Sequence, residues 1–209
     1  MLHSIEELKE LDIEVGYDET TAFGDYRIRV MQDSDAESPR DWDNLGTMVY
    51  WHRNYILGDV DGNREYESVE SFLEEIGDAI VLPLYIYDHS GITMNTTGFS
   101  CPWDSGQVGF IYVTLEDVRK EYGWKRITKD RRARIEGYLR NEVNTFDMYL
   151  RGEVYGFNIV REDEDGEEVD IDSCWGFYGY DDPYMTEDVI KGAIQYDIEN
   201  TPAQLELAV

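Results

Sequence analysis

This sequence is short of bases. It carries 18 lysines and arginines against 46 aspartates and glutamates, a formal net charge of −28. Such a surface repels nucleic acid and anionic membranes, because both carry dense negative charge. Direct nucleic-acid binding is disfavoured over most of the molecule, and a membrane partner with it. Cysteine is nearly absent: Cys101 and Cys174 alone do not make a disulfide framework. Histidine is limited to His3, His52 and His89. No apolar run approaches the ~20 residues of a membrane span. The opening MLHSIEELKE has neither the basic nor the apolar stretch of a signal peptide, so we expect a cytoplasmic protein. GxxxxGK[ST] and GxGxxG are both missing, which argues against a nucleotide enzyme.

What is present suffices for a core. Hydrophobic residues make up 42% and aromatics 13% of 209 residues, which excludes a disordered chain despite the charge. SIEELKEL has the Ser4/Glu7 capping-box spacing of a short helix. Residues 25–31 (DYRIRVM) alternate as a strand does, and 47–57 (TMVYWHRNYIL) are β-rich. Asp61-Gly62 signals a hairpin turn. Val69, Phe72, Leu73 and Ile76 mark one face of a helix ended by Gly77. The run 79–89 reads as a buried strand, with Pro83 demanding an edge or a bulge. A strand GQVGFIYV leads to a helix capped by Thr114 and Asp117 and stopped by Gly123. A longer helix spans about 128–150. Asp165-Gly166 turns the clearest hairpin, and Thr186 caps a last helix with Val189, Ile190, Ala193, Ile194 and Ile198 inward. There is no βαβα rhythm. The expected fold is α+β, a mostly antiparallel twisted sheet carrying about four helices. We expect one domain over 1–209, with 1–45 as a peripheral segment.

The few bases are unevenly placed. Nine lie within residues 119–140 beside only three acids, so the window holds 9 − 3 = +6 and the other 187 residues −28 − 6 = −34. That window reads first as a helix face paired with its own acids, and second as a surface for a homodimer, basic face to acidic face. The acids gather in three stretches. The first holds Asp33, Asp35, Glu37, Asp41 and Asp43. The second holds Asp59, Asp61, Glu65, Glu67, Glu70, Glu74 and Glu75. The third holds Glu162, Asp163, Glu164, Asp165, Glu167, Glu168, Asp170 and Asp172.

Chemistry-bearing motifs are few. Cys101 with His89 and Asp104 forms the best nucleophile trio, since a thiol needs a base and the base an orienting acid. A buried, inert cysteine is the commoner fate. DSCWGF around Cys174 has no histidine after it and fails as a papain-like site. DWDNLG and DVDGNREYE both fail the EF-hand pattern, at Leu45 and Arg64. No CxxC or HxxxH spacing supports zinc. We therefore expect no metal and no cofactor. Residues 101–106 (CPWDSG) read as a tight loop. Gly106 permits the turn, Trp103 packs back onto the sheet, and Asp104 and Ser105 satisfy exposed backbone donors.

The runs CPWDSGQVGFIYVTLEDVRKEYG, DMYLRGEVYGF and DSCWGFYG resemble a family of small, acidic proteins of tailed phages and other mobile elements. The resemblance covers roughly residues 80–180 and brings no catalytic residues with it. It implies an accessory, anti-defence protein. Joined to the charge, it leads us to expect a non-enzymatic nucleic-acid mimic. Its carboxylates would occupy the nucleic-acid groove of a host restriction or CRISPR component, and the acids named above are the candidate contacts. The alternatives are a small thiol hydrolase built on Cys101, His89 and Asp104, and a salt-adapted interaction domain with no special site.

Overall fold

A computed structural model of the chain describes residues 5–15, 20–163, 165–179 and 183–200. The chain is α+β, with six α-helices and nine strands among those residues and mostly antiparallel pairing. Where one domain is expected from the sequence, the fold divides into two compact units. One runs to Ala36 and resumes at Gly152; the other is Glu37–Arg151.

The first unit opens with α1 (Ile5–Lys9), then β1 (Thr20–Phe23) and β2 (Tyr26–Gln32). Ser4, the expected cap of α1, lies outside the described residues. After the second unit the chain returns as β8 (Val154–Glu162) and β9 (Glu168–Tyr178). The four strands form one antiparallel sheet in the order β1-β2-β8-β9. A π-helical turn (Tyr184–Ile190) and α6 (Lys191–Asn200) close the unit. Thr186 is not the expected cap: it lies inside the turn, and its carbonyl accepts from the Lys191 N–H. The inward stripe is as read, with Ile190 and Ile194 fully buried against Ile28, Val30, Phe157 and Ile159.

The second unit is a five-stranded sheet ordered β4-β3-β7-β5-β6. Its strands are β3 (Thr47–Tyr50), β4 (Val60–Asp61), β5 (Ala79–Asp88), β6 (Ile92–Asn95) and β7 (Ser105–Thr114). The helices are α2 (Gly62–Glu65), α3 (Val69–Ile76), α4 (Leu115–Tyr122) and α5 (Lys129–Leu150). Successive strand residues face opposite sides. Ile111 and Val113 meet Ile135, Leu139 and Val143 of α5 on one side. Phe110 and Tyr112 meet Phe72 of α3 on the other, at 5.8 and 5.4 Å between ring centroids.

Local chemistry explains the boundaries. Thr114 Oγ1 accepts from the Asp117 N–H at 3.1 Å, and Gly123 ends α4 with φ +64°. Thr128 caps α5 through the Arg131 N–H. Asp61-Gly62 does not turn a hairpin. Asp61 caps α2 by accepting from the Asn63 N–H, and Gly62 lies under the Trp51 indole where a Cβ would collide. The β-rich run 47–57 forms a strand only to Tyr50, and beyond it His52 Nδ1 accepts from the N–H groups of Asn54 and Tyr55. Pro83 sits where β5 has β7 on one side only, since β6 pairs with Tyr85–Asp88, and the register shifts at Leu84/Tyr85. Among the described residues, no helix is long and apolar enough to cross a membrane.

Candidate functional site

The structure sorts the acids. Asp33 and Asp35 belong to the first unit with the 162–172 stretch; Glu37, Asp41, Asp43 and the 59–75 stretch belong to the second. The acids thus form a group in each unit. Glu164 lies outside the described residues.

In the first unit the acids line a sheet edge. β9 is the last strand, and Glu168, Asp170 and Asp172 are exposed along it. Glu168 and Asp170, alternate residues about 6.8 Å apart, stand close to two axial steps of a phosphate backbone, while a register shift at Ile159/Val160 breaks the alternation between Asp170 and Asp172. Asp163 is spent on the turn, where it accepts from the N–H groups of Asp165 and Glu167. Glu162 and Glu168 oppose each other across the ladder, a like-charge pair that costs stability. Arg27 and Arg29 of β2 relieve it, at 3.7 Å from Glu162 and 3.5 Å from Glu168.

In the second unit the acids make a cleft. Asp59, Asp61, Glu65 and Glu75 surround about 480 Å³ together with Tyr50, Val60, Arg64 and Tyr66. β4 carries Asp61 and Val60, α2 carries Arg64 and Glu65, and α3 carries Glu75. Burial raises the pKa of Tyr50 and Tyr66, and the neighbouring carboxylates add to it. Both phenols therefore stay protonated through neutral pH. Glu67, Glu70 and Glu74 do not line this cleft. Glu70 sits at the start of α3, where its own N–H and the Ser68 hydroxyl hold its pKa below the usual value.

Asp59 has a second duty that the sequence hides. Arg40 reaches it twice, Nε to Oδ1 at 2.9 Å and Nη2 to Oδ2 at 2.7 Å. Arg40 also reaches Glu142 of α5 at 3.0 Å and the Gly46 carbonyl at 2.6 Å. Glu142 accepts in turn from the Leu45 and Gly46 N–H groups. Burial opposes the Arg40 charge, but Asp59 and Glu142 outweigh it and raise its pKa. The one available signal was a lone base in a loop of five acids.

The thiol trio does come together, in an order other than a nucleophile needs. Asp104 Oδ2 lies 3.8 Å from Cys101 Sγ and 3.5 Å from His89 Nδ1. The acid takes the middle place, where a base-activated thiol would have the imidazole. His89 stacks on Tyr87 instead. Trp103 does not pack back onto the sheet: it is 90% exposed. Ser105 donates its hydroxyl to the Cys101 carbonyl, rather than serving a backbone donor. Among the described residues, no group of three or more His, Cys, Asp and Glu is placed to hold a metal ion.

Two of the nine bases of the 119–140 window lie over aromatic rings. Arg131 lies 4.6 Å over Trp124, and Arg134 lies over Tyr122 and Tyr138 at 5.9 and 5.4 Å. The expected acid pairing is seen at Arg140–Glu136, 3.5 Å apart. Arg119, Lys120, Arg126, Lys129 and Arg132 are exposed.

Compared with known proteins, the chain matches no family model, no curated protein and no solved structure.

Proposed function

We propose that this is a non-enzymatic binding protein whose carboxylates take the place of phosphates on the basic, nucleic-acid-binding surface of another protein. The observation that carries the reading is the second unit's cleft, which gathers four carboxylates around one arginine. The acidic β9 edge supports it. The mechanism is electrostatic competition. A field from a −28 molecule speeds encounter with a cationic groove, and the bound carboxylates then exclude nucleic acid. The resemblance to phage and mobile-element proteins directs the partner toward a host defence protein, such as a restriction or CRISPR component. A cytoplasmic site of action goes with that partner.

The test is capture from nuclease-treated host lysate with the tagged protein, washed at low and at high salt. A nucleic-acid-binding protein retained at low salt, released by high salt and displaced by added DNA is the expected result. Inhibition of such a partner that is indifferent to salt sinks the proposal. The second reading is a thiol enzyme on Cys101, His89 and Asp104; it rests on their meeting alone, since Asp104 and not the imidazole faces the thiol. Cys101→Ala separates the two: it abolishes a thiol enzyme's activity and leaves a mimic's inhibition intact.

A further inference from the structure

Trp103 is the most exposed of the large apolar side chains among the described residues, 90% open to solvent. An indole is ordinarily among the more buried side chains, so this one asks for a cover. Its loop is tied down. Ser105 donates its hydroxyl to the Cys101 carbonyl, Asp104 Oδ2 lies 3.8 Å from Cys101 Sγ, and the Asp88 N–H donates to the Asp104 carbonyl at 2.8 Å. The loop thus holds the indole out at the Ser105 end of β7, beside Asp88 and Asp104.

A pocket that suits an indole lies toward the other end of β7. Trp42, Leu45, Tyr122 and Tyr138, with Asn141 and Thr145 of α5, surround about 360 Å³ of mainly apolar space. A cavity of roughly 150 Å³ already holds a benzene ring, so an indole fits. Leu45 and Tyr122 also line the neighbouring recess that contains Thr114, the last residue of β7. The ten residues of β7 separate that end from Ser105 by about 30 Å. Trp103 therefore cannot fill the pocket of its own chain.

The two rims are of opposite charge. Arg134 lies over the Tyr122 and Tyr138 rings, and its Nε donates to Tyr138 Oη at 2.7 Å. No carboxylate pairs with Arg134 among the described residues. Glu142, the acid of the pocket, is taken up by Arg40. A second copy of this chain carries on one loop both an indole for the pocket and carboxylates for its rim.

We infer that the chain associates with itself head to tail, Trp103 of one copy seated in the Trp42–Tyr122–Tyr138 pocket of the next, with Asp104 turned to Arg134. Each copy gives its indole to one neighbour and its pocket to another, so the contact is heterologous and adds copies beyond two. The −28 charge opposes this at long range, but physiological salt screens beyond about 8 Å and leaves the facing charges to decide.

The test is analytical ultracentrifugation of the full chain at rising concentration in physiological salt. The mean mass is expected to climb past that of two copies. Trp103→Ala should weaken association about thirtyfold, as loss of a central aromatic anchor does. Arg134→Glu should weaken it about tenfold. Thr145→Phe fills the pocket from α5 and should abolish association from the other side. Mixed in equal amounts, Trp103→Ala and Thr145→Phe should form a 1:1 pair and stop there, because one still offers a pocket and the other an indole. Misfolded variants cannot complement in this way. A wild-type chain that stays monomeric at every concentration overturns the inference, and leaves the indole and the pocket to other partners. Wild-type association by either single variant, a mixture that stays monomeric, or wild-type assembly that ends at a dimer overturns it as well.

Discussion

Arg40 has a side chain only 6% exposed, in a loop whose other charges are all negative. Its fork spans Asp59, Glu142 and the Gly46 carbonyl, and so ties the loop, β4's approach and α5 together. Removing one member of a buried charge network leaves the others unpaired and desolvated. Arg40→Ala should cost about 3 kcal/mol, or roughly 6–12 °C in Tm for a chain of this size. Arg40→Lys should recover little, since an ammonium cannot span both carboxylates. Thermal unfolding followed by circular dichroism checks both, and a wild-type Tm for the lysine variant would contradict the role. The same scale shows where single residues mislead. Trp103 is expected to pack back onto the sheet, yet it is solvent-exposed, while Trp51 meets Phe72 edge-to-face at 5.4 Å.

Elements with a local cause were legible. Thr114, Thr128 and Gly123 bound α4 and α5 as their cap chemistry requires. Asp165-Gly166 turns the β8–β9 hairpin, with Gly166 at φ +81°. Asp61-Gly62 carries the same dipeptide signal and starts a helix instead, because Trp51 covers Gly62 and the Asp61 carboxylate caps the chain that follows. α3 forms where its stripe predicts a helix, but of that stripe Leu73 is exposed and the hold on the sheet is one ring. Phe72 is fully buried among Trp51, Tyr66, Phe110 and Tyr112. Phe72→Ala should destabilise by about 3–5 kcal/mol. It should also raise hydrogen exchange across α3 before it does so in α5, which packs on the opposite face. Uniform loss of protection in both helices would contradict that order.

At the scale of the molecule, the second unit interrupts the first. β2 and β8 are hydrogen-bonded neighbours, with Gln32 opposite Tyr155 and the Asp33 N–H bonded to the Val154 carbonyl at 2.7 Å. The chain therefore leaves and re-enters the first unit at adjacent points, the geometry that accommodates an inserted domain. Each unit's buried core draws on its own residues. Residues 37–151 expressed alone should fold, with a cooperative thermal transition and dispersed amide resonances. A fragment without either would show that the second unit depends on the first.

The sequence determined whatever depends on near neighbours or on totals. Composition set the sign of the surface, and period-2 and period-3.6 patterns with their caps set most strands and helices. It also supplied the acids of both groups. Tertiary structure decided which of them are available. Asp59 and Asp163 are held by Arg40 and by turn amides, while Glu65 and Glu75 face a cleft with Tyr50. The division into two units and the placing of Asp104 between Cys101 and His89 were also decided there. The physical reason is range. Caps and turns act over three or four residues, whereas Arg40 meets Glu142 across 102 positions, and nothing local to either residue records that contact.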